Sequence, residues 1–185
     1  MALTPSTMLP LGTPAPAFSL PEPATGRTVS LHDHADAPAF VVMFLCNHCP
    51  YVHHVRTGVA AFAREYMPRG VAVVGINSND AARFPEDGPD RMKGEVLKAG
   101  YTFPYLHDES QAVARAYQAA CTPDFFLFGP DRRLAYRGQF DASRPGNGIP
   151  VTGGDLRAAV EAVLTGRPIA GVQKPSVGCN IKWKG

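Results

Sequence analysis

The chain has 185 residues, 45% of them hydrophobic and 18% charged, with a formal net charge of +2. That is the size and composition of roughly one globular domain, able to bury about 70% of the surface its unfolded chain exposes. Near-neutral charge excludes an electrostatic appetite for nucleic acid or anionic membrane, and no stretch approaches the ~18 apolar residues of a transmembrane helix.

Residues 1–10 hold neither a basic segment nor an apolar run of secretory length. The expected location is therefore cytoplasmic, where the thiol pool keeps a dithiol mostly reduced. Residues 17–20 and 28–31, joined by a turn-rich Pro-Glu-Pro-Ala-Thr-Gly, read as an edge hairpin. Residues 39–45 are an unbroken apolar run, as expected of a strand covered on both faces.

From Pro50 the period becomes helical. Val52, Val55, Val59, Phe62 and Tyr66 recur at spacings of three and four, and Pro68 with Gly70 ends the helix. Residues 71–76 form a second buried strand, completing a βαβ unit. Residues 77–109 are less regular: a turn at 77–80, a loop at 84–89 and a short helix at 91–99 stopped by Gly100. A helix at 110–117 takes Ser110 as its N-cap, and strands 125–128 and 134–137 flank a tight turn. A last helix spans 154–164. From Gly166 onward an extended tail is expected, giving a domain of 1–166 and a tail of 167–185.

The strand at 39–45 runs straight into Cys46-Asn47-His48-Cys49-Pro50. Two thiols three positions apart, between a buried strand and a helix N-terminus, suit a dithiol/disulfide centre. The positive end of the helix favours a thiolate. Four cysteines in all are too few for a disulfide scaffold.

These features together resemble the thioredoxin superfamily, in its redoxin branch of AhpC/TSA-like and TlpA/ResA-like proteins. The match is carried by Gly12-Thr-Pro-Ala-Pro-Ala-Phe-Ser-Leu20, the Cys46/Cys49 pair, Thr122-Pro123 before the strand at 125–128, and the hairpin around Gly129 to Gly138. The resemblance implies an α/β, thioredoxin-like fold: a central mixed β-sheet flanked by helices, with an N-terminal β extension, a central insertion and an extended C-terminal tail. It also implies that Pro123 is cis, that it packs beside the dithiol, and that Thr122-Pro123 forms the substrate-binding platform.

On this reading the chain is a thiol–disulfide oxidoreductase. Cys46, the more exposed thiol and the one nearer the helix dipole, is the nucleophile, and Cys49 resolves. His48 tunes the thiolate, while His53 and His54 lie on the solvated flank of the helix. No cofactor or metal beyond a redox-active Cys46–Cys49 disulfide is expected. The partners are protein or small-molecule disulfides and thiols, with a thioredoxin-type protein as a candidate electron donor.

Two departures from the thioredoxin pattern stand out. Leu45 replaces the tryptophan before the first cysteine, and Phe40 replaces the buried acid six positions upstream. Two alternatives stay open. One is a thiol-dependent peroxidase, although Cys46 itself occupies the threonine position of a peroxidatic box counted back from Cys49; Arg137 is the candidate arginine. The other is a non-catalytic redox-sensing or metal-binding module. Cys121 and Cys179 are candidate accessory thiols. A tail thiol could fold back to resolve Cys46 or pair with Cys121, or stay idle while Trp183 anchors the tail.

Overall fold

In the computed structural model, which describes residues 3–185, the chain begins β1 (Leu3–Pro5), β2 (Ser19–Pro21), β3 (Thr28–Ser30), β4 (Phe40–Phe44), α1 (Pro50–Tyr66), β5 (Ala72–Asn77) and α2 (Pro89–Ala99). It continues β6 (Tyr105–His107), α3 (Ala112–Ala116), β7 (Cys121–Thr122), β8 (Asp124–Phe128), β9 (Leu134–Gly138), α4 (Gly154–Leu164) and β10 (Val177–Asn180). The central sheet has the order β6-β5-β4-β8-β9. Strands β4, β5 and β6 are parallel, whereas β8 runs antiparallel to β4 and β9 antiparallel to β8.

The apolar run is the middle strand, and its alternation divides two cores. Val41, Met43 and Leu45 face the side covered by α1, α2 and α4. Phe40, Val42 and Phe44 face the side covered by α3 and the β2–β3 hairpin. Neither side meets water, so the strand needs no polar residue. On the second side Phe126 sits edge-on to both Phe44 and Tyr117, with ring centroids 5.8 and 5.6 Å away. Such an aromatic costs about 3–5 kcal/mol when truncated to alanine.

Helix α1 follows its stripe: Val52, Val55, Val59, Phe62 and Tyr66 are all buried. Pro50 takes the first helical position, where its missing N–H is no loss. A 3-10 turn at Met67–Arg69 then ends at Gly70 in the left-handed region.

Several elements differ from the sequence reading. Helix α2 starts at Pro89, because Gly88 rather than a later residue caps it. Helix α3 is capped by Gln111 in the left-handed region, not by Ser110, whose hydroxyl accepts the N–H of Ala112 at 3.2 Å. Strand β6 is only three residues long, too short to show a period, yet it is fully buried and pairs with β5.

The larger difference is the tail. Within 167–185, strand β10 is the middle strand of a second sheet of order β1-β10-β7. Beyond it Ile181 is buried and donates its N–H to the Ala120 carbonyl at 3.0 Å. The N–H of Lys182 reaches Asn79 Oδ1 at 2.8 Å, and the Arg115 guanidinium lies over the Trp183 ring at 4.6 Å. Main-chain pairing orders this segment, which explains why no side-chain periodicity announced it.

Candidate active site

Cys46 leaves the end of β4 and Cys49 is the N-cap of α1. Opposite them stands the Thr122–Pro123 peptide bond, which is cis. Cys46 Sγ lies 3.1 Å from Thr122 Oγ1, and the Cys49 thiol donates to the Thr122 carbonyl at 3.3 Å. The expected platform and the expected dithiol are thus in contact. A third thiol joins them: Cys179 Sγ, on β10, is 2.9 Å from Cys49 Sγ. All four cysteines are thiols rather than disulfides.

The exposure expected of Cys46 is not found. Cys46 is 1% exposed and Cys49 is fully buried. Nor does Cys46 sit nearer the helix dipole: α1 begins at Pro50, so Cys49 holds the capping position. There it receives S–H donation from Cys46, which lowers its thiol to about 5 against the effect of burial. The S–H of Cys179 and the backbone N–H of Val52 lower it further. Burial and the neighbouring Cys49 sulfur push the Cys46 thiol up. Both shifts, and the helix N-terminus, favour a thiolate on Cys49 over one on Cys46.

His48, beside the dithiol, pairs with a residue the sequence did not single out. Its Nδ1 lies 2.6 Å from Asp87 Oδ2, and its ring stacks on Phe84 with centroids 5.5 Å apart. The Asp87 carboxylate raises the His48 imidazole above its ordinary value, and the Cys49 charge adds to this. Burial would push Asp87 up, but donors from His48, Asn79 and the Asn47 backbone hold it below the usual carboxylate range. Those donors are the Asn47 N–H at 2.6 Å, Asn79 Nδ2 at 2.8 Å and His48; Asn77 Nδ2 adds a fourth at 3.2 Å.

Asn47 is itself pinned. Its amide donates to the Glu86 carbonyl, its Oδ1 accepts from Tyr105, and its carbonyl meets His53 Nε2 at 2.5 Å. His53 is exposed on the flank of α1, as expected, and from there meets the dithiol loop. Asp87 lies in a Pro- and Gly-rich loop, forty positions from Asn47, and nothing in the local sequence announced it.

Cys46, His48 and Asp87 place donor atoms within 4.8 Å of one another, the sole such group among the described residues. Each already has a partner: Cys46 Sγ meets Thr122, His48 pairs with Asp87, and both Asp87 oxygens accept N–H bonds. Cys121 is buried, its Sγ 3.7 Å from the Pro123 carbonyl, and burial raises its thiol. Arg137 donates to the Leu9 carbonyl and to Gln173 Oε1.

Phe40, in the position expected for an acid, packs in the second core. The buried acid next to the platform is Asp124 instead. Ser6 Oγ donates to its Oδ1 at 2.5 Å, its Oδ2 has no partner, and burial raises it to about 7.

A dithiol between a central strand and a helix, facing a cis-proline across a mixed sheet, defines a thioredoxin-like fold. The chain belongs to the AhpC/TSA family, whose model matches residues 11–137. It superposes on an uncharacterized conserved protein of Geobacillus kaustophilus with a TM-score of 0.98 and 54% identity, covering 100% of this chain and 97% of that one. A hypothetical protein of Sinorhizobium meliloti 1021 is similar at 55% identity and a TM-score of 0.96, with 98% of each chain covered. A thiol:disulfide interchange protein of Chlorobium tepidum shares the fold at 18% identity and a TM-score of 0.64, over 83% of this chain and 97% of that one. None of the curated proteins matches the sequence. No helix among the described residues is long and apolar enough to cross a membrane.

Proposed function

We propose that this chain is a thiol–disulfide oxidoreductase whose working pair is Cys46 and Cys49. The observation that carries the reading is the convergence of both thiols on Thr122, at the cis bond to Pro123 and the N-terminus of α1. The Cys49 thiolate attacks one sulfur of a substrate disulfide, and the other sulfur leaves as a thiolate. Cys46 then attacks the Cys49 sulfur of the mixed disulfide, closing Cys46–Cys49 and releasing the second substrate thiolate. The Cys46 proton goes to a departing thiolate, and two electrons pass to the substrate. A dithiol donor, of the kind a thioredoxin-type protein supplies, resets the pair.

Cys49 takes the opening role because it caps the helix and its thiolate form is the stabilised one. Asp87 raises the His48 imidazole, and the protonated ring supports that thiolate. Reduction of insulin disulfides with dithiothreitol tests the reading. Wild type should accelerate precipitation over the uncatalysed rate, and Cys49→Ser should abolish the acceleration. An inert wild type ends the proposal.

A further inference from the structure

The register of β10 places Cys179 at the dithiol. Cys179 lies opposite Thr122 in the antiparallel ladder with β7, and opposite Leu3 in the ladder with β1. The edge of the Thr122 platform is therefore occupied by the chain's own strand. Gly178 makes so close an approach feasible: a Cβ there would fall 2.0 Å from the Thr122 carbonyl oxygen. The same carbonyl accepts from Cys49, so the β10 backbone and the dithiol meet on one residue. On its far side β10 is fixed by Ile181, Lys182 and the polar side chains of Asn79 and Gln111. Cys179 is thus held by a paired strand, not by a loose tail.

We infer that Cys179 is a third redox thiol of this site, so that Cys49 alternates between a disulfide to Cys46 and a disulfide to Cys179. The inference rests on the thiol–disulfide reading above and extends it. The two sulfurs are 2.9 Å apart, and a disulfide of ~2.0 Å requires them to close by about 0.9 Å. From the Cys46–Cys49 disulfide, the Cys179 sulfur attacks Cys49. The Cys46–Cys49 bond breaks, the Cys49–Cys179 bond forms, and Cys46 leaves as a thiolate that takes the proton Cys179 gave up. No net oxidation occurs in that step.

An external dithiol then attacks the Cys179 sulfur and expels Cys49. Of the three, Cys179 is the least buried, at 4% exposure, and Cys49 is the thiol that leaves most readily. Burial and the Cys49 sulfur raise the Cys179 thiol to about 12, which makes it the poorer leaving group and directs attack onto its sulfur.

The test is a disulfide map. Full-length Cys46→Ser and Cys179→Ser are oxidised with diamide, blocked, digested without reductant and read by mass spectrometry. Cys46→Ser should yield an intramolecular Cys49–Cys179 peptide pair that dithiothreitol removes, and should keep part of the insulin activity. A Cys46→Ser protein in which Cys49 ends only in intermolecular dimers or diamide adducts overturns the inference. The Cys46–Cys49 linkage in Cys179→Ser reports separately on the underlying reading: its absence would sink that reading and the alternation with it, whereas its presence without a Cys49–Cys179 pair in Cys46→Ser would overturn the inference alone. Wild type equilibrated at intermediate glutathione ratios gives an independent decision without any substitution. Two linkages sharing Cys49 support the relay, and Cys46–Cys49 alone refutes it.

Discussion

His48 Nδ1 and Asp87 Oδ2 sit 2.6 Å apart beside the dithiol, with the carboxylate fully buried and the imidazole mostly so. The pair raises the imidazole and lowers the carboxyl, so each ionised partner favours the other. It also ties the dithiol loop to a segment forty residues downstream, through the Asn47 N–H on the same carboxylate.

That pair gives stability a defined pH window. The His48 contribution is complete below the unfolded histidine value of ~6.5 and is lost as pH rises through its raised folded value. The Asp87 contribution is complete above ~3.9 and is lost as pH falls through its lowered one. Wild type should therefore exceed His48→Gln by about 1.5–3 kcal/mol between about pH 4 and 6.5. The gap should shrink on either side. Urea unfolding across pH measures it, and a gap that does not vary with pH would refute the ion pair.

Asp124 should act in the opposite sense. Its folded value, about 7, lies above the unfolded one, so the folded state holds the proton more tightly. Wild-type stability should fall as pH rises from about 4 to 7, by at most about 1.4 kcal/mol per pH unit. In Asp124→Asn that slope should disappear, making the variant comparatively more stable at pH 8 than at pH 5. Equal slopes in the two proteins would mean that Asp124 is ionised throughout.

The assignment of the thiolate is open to direct titration. Ultraviolet thiolate absorbance of the reduced protein should rise with a midpoint near 5. Cys46→Ser keeps a hydroxyl donor and should retain this transition, Cys179→Ala should move it upward, and Cys49→Ser should remove it. A low transition that survives in Cys49→Ser and vanishes in Cys46→Ser would return the thiolate to Cys46.

Two glycines should respond oppositely to alanine. Gly178 has the Thr122 carbonyl carbon 2.7 Å and its oxygen 2.0 Å from where a Cβ would sit, so β10 must shift. Gly178→Ala should cost about 1–3 kcal/mol and speed hydrogen exchange at Cys179 and Ile181. Gly94, inside α2, has nothing within 4 Å. Gly94→Ala should stabilise by about 0.4–1 kcal/mol. Unchanged exchange along β10 in Gly178→Ala would show that the close approach is not required.

The elements that local pattern writes were legible in the chain alone. The unbroken 39–45 run gave the buried middle strand, the three-and-four stripe from Val52 to Tyr66 gave α1, and Cys46-x-x-Cys49 between them gave the dithiol. Each rests on neighbours within a turn or two, where periodicity and the position of Pro50 act directly. Tertiary structure decided everything that depends on groups far apart in sequence meeting in space. It placed Asp87 on His48 and Asn47, and the buried acid beside the platform at Asp124 rather than at position 40. It gave the capping position to Cys49. Strand β10, whose four residues carry no pattern of their own, is ordered by main-chain pairing across more than fifty residues to β7 and more than a hundred and seventy to β1. That pairing brings Cys179 to Cys49. The C-x-x-C spacing marked a dithiol; only the fold made it a cluster of three thiols.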